Sequence, residues 1–250
     1  GVEFVPGVEL SAESPGYPLH LLGLWLPLKP AGLAGVLEDL RRKREERNHA
    51  IIERLRERGL NVTHEELETL AAEGSGDEAD EGRSVGRPHI ARLLMAKGYV
   101  THIQEAFARY LGSWGSAYVP KAKLTAERAI ALLKAEGALA IMAHPCLASL
   151  SLTALEKELS RYQEMGLDGL EVYYTEHSDQ QTRDYLRLAR KLGLAVTGGT
   201  DYHGSIKPDI KLGRGKGKGK LKIPYAVLED LKAYRARRGL AVSVGVSVPY

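Results

Sequence analysis

The sequence contains a single cysteine, Cys146, among its 250 residues. One thiol cannot form an internal disulfide, which excludes a disulfide-stabilised secreted module and favours a reducing, cytoplasmic location. No apolar run approaches the roughly 18–20 residues of a membrane-spanning helix, so we expect no membrane partner. Basic residues exceed acidic residues by only a small number. A net charge of +3 does not by itself predict binding to duplex DNA or to membranes.

The second half of the sequence alternates between apolar strands and amphipathic helices. Strands are predicted over Gly137–Pro145, Leu167–Ser178 and Leu194–Asp201. Helices are predicted over Leu152–Gly166 and about Gln180–Leu192, where apolar residues recur at helical spacing. Continuous apolar strands separated by helices of this length are typical of a parallel α/β sheet.

The middle third of the sequence has a helical pattern instead. Leu37–Gly59 predicts a long, highly charged helix. Shorter helices are predicted near His64–Ala72, Pro88–Lys97 and His102–Leu111. Between them, Ala71–Ser84 is acidic and glycine-rich, which indicates a mobile loop. The pattern therefore predicts an all-helical insertion between two strands of the α/β domain.

Carboxylate and imidazole side chains occur where strands are predicted to end. These residues are Glu9 in "VPGVELS", His20 in "YPLHLLGLWL", His144 in "IMAHP", and Asp201 and His203 in "GGTDYHG". The carboxyl ends of parallel strands meet at one mouth of an α/β barrel, and mixed imidazole and carboxylate donors suit zinc, manganese or iron. Structural roles stay open at this stage, because His20 could be a hydrogen-bonded core histidine and Asp201 a turn residue.

The order of these motifs resembles the PHP (polymerase and histidinol phosphatase) domain family. The similar segments are "PGVELS", the strand with His20, "AHP", "EVYYTEHS" and "TGGTDYHG…KPDIKLG". The segments "GRPHIARLL" and "AYVPK…IMAHP" are similar to the bacterial branch that dephosphorylates 3′,5′-nucleoside bisphosphates and trims short RNA from its 5′ end. The resemblance covers about Gly1–Gly239.

The resemblance implies an α/β fold, a distorted (β/α)7 PHP barrel that is incomplete at the N-terminus and carries an all-helical insertion domain. The barrel would comprise residues 1–27 and 123–239, the insertion residues 28–122 as a substrate lid, and the tail residues 240–250. The family's opening His-x-His strand and two further ligands have no counterpart here. We expect that the sequence is truncated at its N-terminus, a genuinely short protein being the alternative.

The resemblance also implies a site with two or three divalent metal ions. Manganese is the expected metal, with iron or zinc as alternatives. Glu9 would bridge two ions, and Glu9, His144 and His177 are the candidate catalytic residues. The metal ligands implied by the resemblance are Glu9, His20, His144, Asp201 and His203.

Basic residues of the insertion are candidates for substrate binding. We expect Arg87, His89 and Lys121 to hold the second phosphate, because a guanidinium fork matches phosphate geometry. Helix-terminal or surface charges are the alternative interpretation of the same residues. The lysine- and glycine-rich segment Lys211–Lys222 reads as a solvated loop whose backbone could also approach an anionic ligand.

The predicted function is hydrolysis of the 3′-phosphate of 3′,5′-nucleoside bisphosphates, of short RNA from its 5′ end, or of both. The partner would be a small phosphorylated nucleotide or a short RNA. Two alternatives stay open. One is a phosphatase for another small ester, such as histidinol phosphate, against which the helical insertion argues. The other is a fragment that binds nucleotide or RNA without catalysis.

Overall fold

The computed structural model describes residues 3–73, 85–204, 207–217 and 221–242. The chain divides into two compact units, which we call the sheet unit and the helical unit. The sheet unit comprises residues 1–34 and 123–250, and the helical unit comprises residues 35–122. The division falls at residue 35 rather than at the expected residue 28, and the roles assigned to the domains from the sequence stay predictions.

The described residues form the following strands and helices. The strands are β1 (Gly7–Glu13), β2 (Leu19–Leu24), β3 (Leu124–Thr125), β4 (Leu139–Met142), β5 (Gly169–Tyr174), β6 (Ala195–Gly199), β7 (Ile210–Lys211) and β8 (Gly215–Lys216). The helices are α1 (Ala31–Arg56), α2 (His64–Glu73), α3 (Arg87–Ala96), α4 (Ile103–Ala106), α5 (Ala126–Ala135), α6 (Leu152–Glu164), α7 (Asp179–Leu192) and α8 (Ala226–Ala236). A π-helical turn over Phe107–Leu111 follows α4.

The sheet unit contains one six-stranded sheet in the order β3-β1-β2-β4-β5-β6. The pairs β4–β5 and β5–β6 are parallel, as predicted, and β1–β3 is parallel as well. Strand β2 is antiparallel to both β1 and β4, so Ser11 pairs with His20 and Leu21 pairs with Met142. The start of β2 therefore lies at the same sheet edge as the carboxyl ends of β1 and β4. The described strands form a mixed α/β sheet, and no closed barrel is seen among them.

Helices of the sheet unit begin at side chains that cap their first turns. Thr125, Ser151 and Ser178 accept hydrogen bonds from main-chain N–H groups of α5, α6 and α7. Such caps satisfy donors that have no partner within the helix. The closing helix α8 begins at Ala226, and the main-chain oxygen of Pro224 accepts from the Val227 N–H in the turn before it.

The helical unit has its own apolar core. Its buried side chains include Ile51, Leu55, Leu67, Ile90 and Leu94. The predicted helices are present, and α2 extends into the segment predicted as a loop because Ala71 is buried against this core. The rest of that loop, residues 74–84, lies outside the described residues. None of the helices in the described ranges is long and apolar enough to span a membrane.

The lysine- and glycine-rich segment forms more than a loop. Strands β7 and β8 pair antiparallel through Ile210 with Lys216 and Lys211 with Gly215. The main-chain N–H of Lys216 donates to Thr175 Oγ1 over 2.6 Å, which ties the hairpin to the end of β5. The described part of the segment is therefore ordered next to the sheet, and residues 218–220 lie outside the described ranges.

Candidate metal centre

Three side chains converge in the sheet unit to form what we call the triad: Glu9, His20 and His144. Glu9 Oε1 lies 2.6 Å from His20 Nδ1 and 3.1 Å from His144 Nε2. The same two imidazole nitrogens are 3.1 Å apart. All three donor atoms lie within 4.8 Å of one another. One oxygen and two nitrogen donors at these separations fit the coordination sphere of a divalent transition metal or zinc.

Strand register brings Glu9 and His20 together. Glu9 pairs with Leu22 and Ser11 pairs with His20, so Glu9 and His20 are diagonal neighbours on one face of the β1–β2 pair. The sequence prediction that Glu9 lies at a strand end is wrong, because β1 continues to Glu13. His20 is near the start of its strand, and the antiparallel direction of β2 places that start beside His144.

His144 directly follows β4 and has an unusual backbone. Its φ of 28° and ψ of 62° are close to the left-handed region, which a residue with a Cβ atom adopts only at a cost. Its side chain is 5% exposed. Its main-chain N–H donates to Glu171 Oε2 over 2.7 Å. This backbone turn, which precedes Pro145 and a short 3₁₀ turn, directs the imidazole toward Glu9.

Hydrogen bonds and charges within the triad shift the pKa values of Glu9 and His144. Burial alone would raise the pKa of Glu9, but hydrogen bonds from His144 and His20 outweigh it and hold that pKa well below its usual value. Burial alone would lower the pKa of His144, but its hydrogen bond with Glu9 and the charges of Glu9, Glu171 and Asp201 raise it. The carboxylate of Glu9 is therefore ionised near neutral pH, which is the form that binds a metal ion.

Asp201 and His203 lie together beyond the end of β6. Asp201 has a φ of 51°, and its Oδ2 accepts from Lys207 Nζ over 2.5 Å and from Tyr174 Oη over 3.3 Å. His203 Nδ1 is 2.8 Å from the main-chain oxygen of Asp201, and its side chain is 44% exposed. Among the described residues, the donor atoms of Asp201 and His203 do not belong to the group that converges at the triad. Their assignment as metal ligands stays a prediction.

His177 lies behind the triad rather than in it. Its Nδ1 donates to the main-chain oxygen of Val172 over 2.8 Å, and its ring contacts Tyr174 and Tyr185 edge to face. Burial lowers the pKa of His177. Its Nε2 is buried and has no hydrogen-bond partner among the described residues. The structure thus gives His177 the contacts of a neutral, packed imidazole, and its catalytic role stays a prediction.

The predicted substrate residues belong to the helical unit. Arg87 Nη1 donates to the main-chain oxygen of Leu111 over 2.9 Å, and the guanidinium lies over the Phe107 ring. His89 Nδ1 accepts from the main-chain N–H of Gly86 at the start of α3. Lys121 is half-buried beyond the π-helical turn. Their role in phosphate binding stays a prediction.

Two buried side chains escaped the sequence interpretation. Glu171 is buried in β5, and burial raises its pKa to about 7. The available signal was a carboxylate inside an otherwise apolar strand. Arg47, buried in the helical unit, has an Nη2 without a partner among the described residues, and burial together with Arg87 and Arg44 lowers its pKa to about 10. No sequence signal separates Arg47 from the other arginines of its charged helix.

Comparison with known proteins gives this geometry a context. The chain is 29% identical over 226 residues to the 5′-3′ exoribonuclease Rnm of Escherichia coli, a match that covers 90% of this chain and 72% of that protein. It is 30% identical over 208 residues to the 3′,5′-nucleoside bisphosphate phosphatase of Chromobacterium violaceum, covering 81% and 68%. A structure from Bifidobacterium adolescentis, described as a metal-dependent phosphoesterase, aligns with a TM-score of 0.73 at 26% identity over 92% of this chain and 76% of that one. No protein-family model matches the chain.

The parallel-dominated sheet, the triad and these relatives together define a metal-dependent phosphoesterase, a hydrolase of phosphoric esters. Sequence identity with the bisphosphate phosphatase extends over most of both chains. The chain belongs to the PHP-type phosphoesterase family that includes this phosphatase and the exoribonuclease Rnm. The family and the enzyme class predicted from the sequence are confirmed.

Proposed function

We propose that the protein hydrolyses the 3′-phosphate of 3′,5′-nucleoside bisphosphates, removes nucleotides from the 5′ end of short RNA, or does both. The observation that carries the proposal is the triad of Glu9, His20 and His144 in a chain whose relatives act on these two kinds of substrate. Both reactions break a phosphoric ester, so one site can serve them.

The triad fits a divalent metal ion because an ionised carboxylate and two imidazole nitrogens converge on one point. When bound, divalent ions neutralise charge on a phosphate and lower the pKa of water toward neutrality. Glu9 supplies the ionised oxygen donor, and His20 and His144 supply the nitrogen donors. Asp201 and His203 are further ligands in this proposal, with two or three ions in all. Manganese is the proposed metal, and iron and zinc are the alternatives.

The finer description of the fold belongs to the same proposal. A distorted (β/α)7 barrel would contain the six-stranded sheet as part of its wall, which the parallel pairs at both ends of that sheet support. The helical unit would select the substrate, with His177 acting beside the triad. The proposed cellular location is the cytoplasm, where nucleotides and short RNAs are present.

A substrate panel tests the proposal. The protein with Mn²⁺ would be assayed for phosphate release and for shortened products on 3′,5′-bisphosphates, 5′-phosphorylated short RNA, nucleoside monophosphates and histidinol phosphate. We expect turnover of the first two substrates. Turnover of histidinol phosphate alone would favour a small-ester phosphatase. Tight binding of nucleotide or RNA without any turnover, in protein shown to contain metal, would instead favour a non-catalytic binding module.

The second phosphate of a bisphosphate is proposed to bind through Arg87, with His89 and Lys121. One guanidinium nitrogen of Arg87 donates to the main-chain oxygen of Leu111. The positive charge of Arg87 also helps to lower the pKa of the buried Arg47. A phosphate would relieve this repulsion, because it offers negative charge and several acceptors to guanidinium donors.

Replacement of Arg87 by alanine is expected to raise KM for bisphosphates by about 10- to 100-fold, the effect of losing one or two hydrogen bonds to a charged group. Turnover of a nucleoside 3′-monophosphate should change far less. Steady-state kinetics on both substrates measure this difference. The matched control is Arg56→Ala, which removes an exposed arginine paired with Glu53 on α1. Equal losses on both substrates would contradict a role for Arg87 in recognising the second phosphate.

A further inference from the structure

Strand β5 contains an irregularity next to the triad. Glu171 pairs with Thr197 on β6, while Tyr173 pairs with the next residue, Gly198. Val172 is therefore an extra residue on β5, which is the definition of a β-bulge. In a regular strand, side chains that face the same way are two residues apart. The bulge changes this spacing, so that Glu171 and Tyr174, three residues apart, both point toward the candidate metal ligands.

Glu171 contacts the backbone of His144. Its side chain is buried with 4% of the residue exposed, and Oε2 accepts from the His144 main-chain N–H over 2.7 Å. That N–H belongs to the residue whose φ of 28° turns the chain at the end of β4. A hydrogen bond at this position stabilises a backbone conformation that the sequence would otherwise disfavour. The carboxylate of Glu171 thereby fixes the point from which the His144 imidazole reaches Glu9.

Tyr174 makes a comparable contact with Asp201, another candidate metal ligand. The residue is 2% exposed, and its Oη donates to Asp201 Oδ2 over 3.3 Å. Its ring centroid lies 5.5 Å from that of His144. Asp201 also has positive φ, and its Oδ2 accepts from Lys207 Nζ over 2.5 Å as well as from Tyr174 Oη. The main-chain oxygen of Val172, the extra residue of the bulge, accepts from His177 Nδ1.

The glycine pair of "TGGTD" provides the space for this arrangement. A Cβ atom at Gly199 would lie 3.0 Å from Glu171 Oε1, and one at Gly198 would lie 2.6 Å from the Cβ and main-chain oxygen of Tyr173. The carboxylate of Glu171 thus occupies room that a side chain on β6 would take. Strand β6 therefore needs glycine beside β5 for the bulge and its two buried polar side chains to fit.

We propose that Glu171 and Tyr174 are positioning residues of the metal centre. Glu171 holds His144 through its main-chain N–H, and Tyr174 orients Asp201 through its hydroxyl. The inference rests on the proposed function in one respect, namely that the triad and Asp201 bind divalent metal. Neither residue is itself a ligand in this arrangement. The expected consequence is a metal affinity and a ligand geometry that depend on two side chains outside the ligand set.

The test measures binding of Co²⁺ alone, by calorimetry and by the visible absorption of the bound ion, without any substrate. Glu171→Leu keeps the volume but cannot accept the hydrogen bond, and we expect it to weaken Co²⁺ binding by about 10- to 100-fold and to alter the spectrum. Glu171→Gln retains an amide oxygen that accepts from His144, so its affinity should stay within about threefold of the unmodified chain. Tyr174→Phe should weaken binding by about 10-fold. Tyr173→Phe, on the same strand, is the matched control and should leave binding unchanged.

Several outcomes would overturn the inference. Unchanged Co²⁺ affinity and spectrum in Glu171→Leu would do so while leaving the metal centre intact. A loss in Glu171→Gln as large as that in Glu171→Leu would exclude the hydrogen bond as the cause. Should the leucine variant not fold, Gly199→Ala provides the second test, because the added methyl group displaces the carboxylate of Glu171 and should also weaken Co²⁺ binding. Absence of Co²⁺ binding by the unmodified chain would overturn both the metal centre and this inference.

Discussion

Replacement of His144 by alanine is expected to lower the content of bound divalent metal and to abolish phosphate-ester hydrolysis. His144 Nε2 is 3.1 Å from both Glu9 Oε1 and His20 Nδ1, so its loss leaves one oxygen and one nitrogen at the centre of the triad. Residues that only support ligands change metal affinity by about 10- to 100-fold, and loss of a ligand should exceed that range. We therefore expect a loss of more than about 100-fold in both metal affinity and kcat/KM.

Elemental analysis after dialysis and hydrolysis assays at fixed Mn²⁺ concentration measure this effect. Asp201→Ala tests the second part of the proposed ligand set in the same way. His102→Ala is the matched control, since the side chain of His102 is 64% exposed in the helical unit and its ion-pair partner is the nearby Glu105. Metal content equal to that of the unmodified protein in His144→Ala would contradict its assignment as a ligand. An equal effect in His102→Ala would point to a general loss of folding.

Local signals predicted most of the secondary structure. Apolar residues at helical spacing predicted α7 over about Gln180–Leu192, and in the structure the helix begins at Asp179 after a serine–glutamine capping pair and ends at Leu192 before Gly193. The buried apolar run of β4 likewise identifies a central strand. These elements depend on neighbouring residues, which is why they could be found without knowledge of the fold.

Features that depend on pairing between distant segments were not predictable. Strand β2 pairs antiparallel with both β1 and β4, and with the opposite direction His20 would lie at the opposite edge of the sheet from His144. The bulge at Val172 exists only in relation to β6. The position of Glu171 beside His144 likewise depends on a distant pairing, since Leu170 pairs with Met142 and Glu171 follows directly.

Asp168→Ala should be the most destabilising of the substitutions in the sheet unit. The carboxylate is buried, with 2% of the residue exposed, and it accepts from Lys134 Nζ over 2.7 and 2.8 Å and from Arg238 Nη1 over 2.8 Å. It also accepts from the main-chain N–H of Ala140 over 2.9 Å. One side chain thus joins α5, β4 and the segment after α8.

Removal of one partner from a buried ion pair costs about 3–5 kcal/mol, because the remaining charge is left unpaired. Here the lower end of that range applies, since Lys134 and Arg238 are 31% and 45% exposed in their side chains and can be hydrated. We expect a loss of about 3 kcal/mol in the free energy of unfolding, measured by urea denaturation. Asp168→Asn keeps one acceptor and should fall between this value and zero. Asp230→Ala, at an exposed position of α8, should change stability by less than about 0.5 kcal/mol. A loss below about 1 kcal/mol in Asp168→Ala would show that the two basic residues and Ala140 do not depend on this carboxylate.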